Sequence, residues 1–121
     1  MAYSTAIAYE GRITRDRECR VDRLYEDGSS SPLDPRLDLA NKSPTGFAWG
    51  YNGSGPAQLA IAILADHLRN DESALRFFQD FKCTVIGRLD QDAGWRLTRT
   101  AVSAAMARIE AERAMTDTTG G

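Results

Sequence analysis

The sequence lacks the features on which several common classes of protein depend. No apolar run approaches the roughly 20 residues that a transmembrane helix needs, so we expect no membrane span. The first residues, MAYSTAIAYEGR, contain neither a basic head nor a long apolar segment, so no secretory signal is expected. Two cysteines are present, Cys19 and Cys83, and their isolation predicts free thiols and a cytoplasmic location.

An excess of charge of one sign is also missing. The chain has 15 Lys and Arg residues against 17 Asp and Glu residues, which gives a formal net charge of -2. Proteins that bind nucleic acid through its phosphate charge are usually basic. Nucleic acid is therefore not expected as a direct, charge-driven ligand.

Side chains that often act in catalysis or bind metal ions are scarce as well. His67 is the one histidine, and no potential metal ligand stands at a typical ligand spacing from it. We therefore predict no catalytic residues, no metal site and no cofactor, and we favour a protein that is not an enzyme. The alternative is an enzyme whose residues come together from distant segments. The carboxylates of Asp34, Asp38 and Asp66 are candidates for such a site.

The length of 121 residues suits one domain with one core. In the N-terminal third, apolar residues such as Tyr9 and Ile13 alternate with polar ones, which predicts strands. Helical patterns follow later and do not alternate with strands. We therefore predict an α+β fold in which a small antiparallel β-sheet packs against two or three α-helices. The predicted limits are a single domain over residues 1–115 and a flexible C-terminal tail over residues 116–121.

The pattern predicts a central buried helix over about residues 56–68. Proline suits the first turn of a helix, and the run that follows Pro56 is apolar on all sides except at Gln58. A second helix is expected after Asn70 or Asp71, either of which can cap it. A third, alanine-rich helix is expected after Thr98, which can cap it in turn. Its apolar stripe fits packing on its own domain or on a second copy, so a homo-oligomer through this helix is one prediction.

The segment GFAWGYNGSGPAQLA concentrates most of the candidate functional residues. From Phe47 to Tyr51 three aromatic residues alternate with small ones, which predicts a strand with one bulky face and one nearly bare face. The bare face would allow another group to approach closely. We expect at least two of the three aromatics in the core. An exposed Trp49 or Tyr51 would be an anchor for a protein partner, and base stacking is the alternative.

The Gly53–Pro56 corner leads into the predicted central helix. The first N–H groups of a helix lack internal partners, so Ser54 and Gly55, the expected cap, are candidates for binding an anion. The structural alternative is a tight turn that seats the helix against the sheet. The corner matches neither a Walker A loop nor a dinucleotide fingerprint. For Gln58 we expect hydrogen bonds to the backbone around residues 41–45, with an amide directed at a ligand as the alternative.

Three segments resemble a known family: NKSPTGFAWGYNGSGPAQLAIAILADHL, ALRFFQDFKCTVIGRL and GWRLT. Their pattern, close to N-x-S-P-x-G-F-x-W-G-Y-x-G-S-G-P-A-Q-L-A, resembles that of small prokaryotic and phage proteins that share a domain of unknown function. The resemblance covers the chain from about Tyr9 to Thr98 and implies no established activity or cofactor. The chain departs from the pattern at Asn52, where the family has glycine, and at Cys83, where an aromatic is common.

Together these features predict a non-enzymatic accessory protein that binds a macromolecular partner, above all a protein. One version is a phage- or mobile-element-encoded protein that interferes with host defence or regulation. The alternative is a binder of a small anionic ligand or nucleotide at the Gly-Ser-Gly-Pro helix start. The candidate binding residues are Asn41, Ser43, Trp49, Tyr51, Ser54, Gly55 and Gln58.

Overall fold

The computed structural model describes residues 5–119, and side chains as far as residue 116. This part of the chain folds as a four-stranded antiparallel sheet with helices packed on it, so the predicted α+β fold is confirmed. The elements in chain order are β1 (Ala8–Ile13), β2 (Cys19–Leu24), β3 (Ser30–Pro32), α1 (Ser54–Leu68), α2 (Asp71–Thr84), a 3₁₀ turn (Ile86–Arg88), β4 (Trp95–Thr98) and α3 (Arg99–Thr119).

The sheet has the strand order β3-β2-β1-β4, with β1 in the middle and antiparallel to both neighbours. Tyr9 pairs with Arg23 on one side and with Leu97 on the other. Because paired residues share a face, all three point toward the helices. Tyr9 and Val21 are buried there. The opposite face is charged and carries cross-strand pairs such as Arg12 with Asp22 at 3.5 Å.

Helix α1 is the centre of the core. Every residue from Gly55 to Ala65 is buried, as its apolar composition predicts. The helix begins at Ser54, two residues before the predicted start, and Gly53 rather than Gly55 occupies the cap position. It ends at Leu68, and Arg69 takes the left-handed cap conformation with φ 53°. No helix in the described part of the chain is both long enough and apolar enough to cross a membrane.

Helix α2 packs on α1 through an apolar stripe. The Asn70 side chain accepts the Ser73 N–H at 2.9 Å, so the predicted cap is confirmed. The buried residues of α2 recur at helical spacing, and they are Ala74, Phe77, Phe78 and Phe81.

Helix α3 covers the remaining side of the core. The Thr98 hydroxyl accepts the Ala101 N–H at 3.0 Å, which confirms the predicted cap. Val102, Met106 and Ile109 are buried. The helix continues to Thr119, through most of the segment predicted as a tail. Gly120 and Gly121 lie outside the described residues, and the predicted limit of the domain at residue 115 stays a prediction.

The predicted strand over Phe47–Tyr51 is wrong, because this segment is an irregular loop. Gly50 has φ 87°, which lies outside the β region and breaks the alternation of faces. The burial pattern of the aromatics nevertheless follows the prediction. Trp49 is buried, Phe47 packs against the core, and Tyr51 is 42% exposed.

Candidate functional site

The aromatic loop, residues 46–52, lies beside a small cavity that we call the aromatic pocket. Its volume is about 210 Å³. Three segments meet there: the β1–β2 turn with the strand ends beside it, the aromatic loop, and the turn before β4. The lining residues are Ile13, Arg17, Cys19, Ala48, Trp49, Tyr51, Gln91 and Asp92.

Trp49 forms a fixed wall of the aromatic pocket. Its Nε1–H donates a hydrogen bond to the Ala93 carbonyl at 3.0 Å. Its ring meets Trp95 edge to face, with the centroids 5.5 Å apart and the planes at 88°. Tyr51 is the exposed partner at the rim, and its ring lies so close to Gly53 that a Cβ there would be 2.6 Å from it. The absence of a side chain at Gly53 therefore leaves room for the tyrosine ring.

The bare side of the aromatic loop is filled by the chain itself. A Cβ on Gly50 would lie 2.6 Å from the backbone of Gln91, and a Cβ on Gly55 would lie 2.7 Å from the Cβ of Ala48. The close approach predicted from the small residues thus occurs within the molecule. These contacts seat α1 against the loop and hold the turn before β4 in place.

The charged groups at the mouth of the aromatic pocket interact weakly. Arg17 and Asp92 are 3.9 Å apart, and their side chains are 78% and 83% exposed. An ion pair this exposed contributes little, because water screens it. Burial raises the pKa of the Cys19 thiol, against a smaller opposing effect of Arg17. Cys19 and Cys83 are both free, as predicted.

Gln58 is fully buried, and its amide binds the backbone of the preceding loop. Its Oε1 accepts the N–H groups of Lys42 at 2.7 Å and Ser43 at 3.1 Å. Its Nε2 donates to the carbonyls of Pro35 at 2.6 Å and Ala40 at 3.0 Å. The predicted contact with residues 41–45 is confirmed. All four hydrogen bonds go to protein, so this amide fixes the loop and does not face a cavity.

The other predicted site residues are spread along the same loop and the helix start. Asn41 and Ser54 are exposed. The Ser43 hydroxyl donates to the Gly46 carbonyl at 2.7 Å, which closes a turn. Neither the Ser54 nor the Gly55 N–H makes a hydrogen bond with another described residue, as expected for the first turn of a helix without a side-chain cap.

A second cluster joins β1, β2 and the end of α1. The buried Tyr9 hydroxyl donates to Oδ2 of Asp66 at 2.7 Å. Arg23 Nε lies 3.0 Å from Oδ1 of the same carboxylate, although its N–H is not aligned as in a hydrogen bond. Burial, together with the hydrogen bond to Asp66, raises the pKa of Tyr9 far above its usual range. Tyr9 is therefore a neutral donor, and Asp66 links the sheet to α1.

The cluster opens into a cavity of about 420 Å³ that we call the arginine cleft. It is lined by Arg23, Arg36, Ala65, Asp66 and Arg69, and a smaller cavity of about 100 Å³ adjoins it. Sequence reasoning missed this site, because its charged residues come from β2, the loop between β3 and α1, and the end of α1.

Arg36 is the most strongly paired arginine of the cleft. It binds Asp38 through Nε and Nη2, and Asp71 through Nη1 and Nη2, at 2.9 to 3.2 Å. These contacts raise the pKa of Arg36, with Asp38 the larger cause, and lower the pKa of Asp38. Of the three candidate carboxylates, Asp34 and Asp66 both line the smaller cavity. Asp38 and Asp66 each lie against an arginine.

The family assignment rests on a match over most of the chain. The model of the family of unknown function DUF6166 matches residues 9–108. The chain belongs to this family. The matched range of DUF6166 includes every residue that lines the aromatic pocket and the arginine cleft. No curated protein and no solved structure matches the chain.

The histidine of this DUF6166 protein sits between two helices. His67 Nε2 lies 3.0 Å from the Ser103 hydroxyl of α3, and Nδ1 is buried without a hydrogen-bond partner in the described structure. Burial lowers the pKa of His67, and the nearby Arg99 adds to this effect. A serine–histidine pair with no acid at Nδ1 lacks the group that orients a catalytic imidazole. Among residues 5–119, no cluster of His, Cys, Asp and Glu could hold a metal ion.

Proposed function

We propose that this DUF6166 protein is a non-enzymatic accessory protein that binds a protein partner at the aromatic pocket. The observation that carries the proposal is the position of Tyr51. Its ring is 42% exposed at the rim of a cavity whose wall is the buried Trp49. Tyrosine, tryptophan and arginine are the residues that most often dominate the energetics of protein interfaces, and Arg17 completes this set.

The size and lining of the aromatic pocket favour one side chain of a partner over a nucleotide. Its volume of about 210 Å³ lies below the ~300–1,000 Å³ typical of small-molecule sites. Ile13 and Cys19 contribute apolar side chains to its lining, and the exposed charged side chains of Arg17 and Asp92 line it as well. An apolar side chain flanked by polar residues fits this arrangement.

The biological role we propose is interference with host defence or regulation in the cytoplasm by a protein of a phage or mobile element. Its support is the motif from Asn41 to Ala60, which resembles that of small prokaryotic and phage proteins. Genomic neighbours test it directly. Defence genes or phage genes beside the coding sequence agree with this role, and a neighbourhood of metabolic genes contradicts it.

A photo-crosslinking experiment tests the contact site. Tyr51→p-benzoylphenylalanine is expressed in the native host and irradiated, and adducts are identified by mass spectrometry. Leu75→p-benzoylphenylalanine is the matched control, because Leu75 is 40% exposed and lies on α2, outside the pocket. We expect one dominant protein adduct from position 51 that is absent from position 75. Equal adducts at both positions, or none at 51, would contradict the proposal.

The alternative function is a small anionic ligand or nucleotide at the start of α1. Its support is that the N–H groups of Ser54 and Gly55 have no acceptor among residues 5–119. Phosphate and nucleotides would then raise the melting temperature, and a Ser54→Pro variant, which removes one N–H, would respond less. An unchanged melting temperature argues against it.

Self-association through α3 also stays a proposal, and sedimentation of the full chain tests it.

A further inference from the structure

We propose that the arginine cleft is a binding site for a carboxylate group, supplied by a small acid or by an acidic side chain. The site is separate from the aromatic pocket, so either proposal can fail without the other. Its volume of about 420 Å³ is within the ~300–1,000 Å³ typical of ligand sites. Two guanidinium groups and one anchored carboxylate determine what it can bind.

The cleft offers many hydrogen-bond donors and few acceptors. The Nη groups of Arg23 and the Nε and Nη1 groups of Arg69 make no hydrogen bond with a described residue. Arg69 uses only Nη2, which donates to the Thr5 hydroxyl at 3.2 Å. The two oxygens of Asp66, the carboxylate in the lining, are already occupied by Tyr9 and Arg23. Guanidinium groups with free donors recognise carboxylates in two-point geometry.

The charges around the cleft favour a single negative charge over a double one. Arg36 faces two carboxylates, Asp38 and Asp71, so this group carries one excess negative charge. Arg23 and Arg69 together face the one charge of Asp66, so the three cleft arginines and the three aspartates bound to them have no net charge. Arg69 also stands at the C-terminal end of α1, where the helix dipole opposes anions. A monovalent carboxylate therefore meets less repulsion from the aspartates than a dianionic phosphate does.

The backbone of two cleft arginines supports a role for their side chains. Among residues 5–119, three non-glycine residues have positive φ, and all are arginines: Arg17 at 65°, Arg36 at 55° and Arg69 at 53°. Positive φ is uncommon outside glycine, and among other residues Asn and Asp adopt it most readily. The C-cap position of Arg69 is one where glycine is usual. An arginine kept there at a cost in stability indicates that its guanidinium has a function.

The experiment titrates the full chain and follows the arginine Nε–H resonances by NMR. Four probes are used: butyrate, a capped glutamate peptide, the matching glutamine peptide, and inorganic phosphate. We expect both carboxylates to shift the Arg23 and Arg69 signals, phosphate to bind more weakly, and the glutamine peptide to have no effect. The carboxylate probe that binds more tightly identifies the natural source of the carboxylate group, which is either a free acid or a protein side chain.

Two glycine variants separate binding from stability. Arg69→Gly should raise the urea midpoint, because it relieves positive φ, and should weaken carboxylate binding at least about tenfold through the lost charged donor. Arg17→Gly should also raise the midpoint and leave binding unchanged, because Arg17 lies outside the cleft. Arg69→Gln keeps a side chain and should bind as weakly as the glycine variant.

Three results would overturn the proposal. They are an absence of shifts with either carboxylate, wild-type affinity in both Arg69 variants, or phosphate binding more tightly than both carboxylates.

Discussion

The hydroxyl of Tyr9 donates a 2.7 Å hydrogen bond to the carboxylate of Asp66, and this bond ties the central strand to the central helix. Tyr9 is completely buried, and Arg23 stands at the other oxygen of the carboxylate. The same aspartate also lines the arginine cleft. A contact that holds the core together therefore also fixes a charged group of the candidate ligand site.

Tyr9→Phe removes this hydrogen bond and keeps the ring. Because the acceptor is charged, we expect the free energy of unfolding to fall by about 2 kcal/mol. Tyr25→Phe is the matched control, since its hydroxyl bonds the neutral Ser31 hydroxyl at 2.6 Å and its loss should cost about 1 kcal/mol. Urea denaturation measures both values. Equal losses of unfolding free energy in the two variants would show that the charge of Asp66 does not strengthen the hydrogen bond.

The raised pKa of Tyr9 predicts a loss of stability in alkali. Above the usual tyrosine pKa of ~10 the unfolded chain ionises Tyr9, while the folded protein keeps its proton. The unfolded state then binds fewer protons, so the free energy of unfolding decreases as pH rises. Urea denaturation from roughly pH 8 to pH 11 should show the difference between wild type and Tyr9→Phe shrinking above pH ~10. Parallel curves across that range would contradict the prediction.

The single histidine can be titrated without interference from another imidazole. Burial and Arg99 lower the pKa of His67, so we expect its ring protons to titrate below the usual ~6.5. The unfolded chain then takes up the proton first, and stability decreases as pH falls below ~6.5. Arg99→Gln should raise the pKa of His67, because it removes a nearby positive charge. Arg108→Gln, on the exposed side of α3, should leave it unchanged, and equal shifts in both variants would exclude a local effect of Arg99.

The features predicted correctly from the sequence are local ones. The caps at Asn70 and Thr98 depend on residues three positions apart, and the burial of α1 follows from its own composition. The Gln58 contact was predictable for a related reason. A polar side chain in a fully apolar helix must find hydrogen bonds, and the adjoining loop was the nearest source.

The features that were missed depend on contacts between distant segments. The sequence pattern of the aromatic loop fits a strand, but Gly50 has positive φ and packs against the backbone of Gln91, about 40 residues away in the chain. Tyr9 and Asp66 are 57 residues apart, and the arginines of the cleft come from three separate segments. Nothing in the spacing of such residues indicates that they meet.

Gln58→Leu should severely destabilise the protein. The substitution leaves two backbone N–H groups and two carbonyls of the preceding loop without partners, and each unsatisfied buried group costs ~1–3 kcal/mol. We expect a loss of at least about 3 kcal/mol, or failure to fold, by urea denaturation. Gln79→Leu on the exposed face of α2 is the control and should change little. Amide exchange at Lys42 and Ser43 reports the same loss locally, and protection as in wild type would contradict this role.

Two glycines with nearly the same φ separate backbone strain from close packing. Gly28 has φ 90° and no atom within 4 Å of an added Cβ, whereas at Gly50, with φ 87°, the Cβ would lie 2.6 Å from the backbone of Gln91. Gly28→Ala should therefore cost only the backbone strain, about 1 kcal/mol. Gly50→Ala adds a clash with main chain that cannot rotate away, which should cost about 2 kcal/mol more. Urea midpoints measure the difference, and equal values would mean that the loop and the turn before β4 separate easily. In that case the aromatic pocket, whose Gln91 and Asp92 belong to this turn, would not be a preformed site.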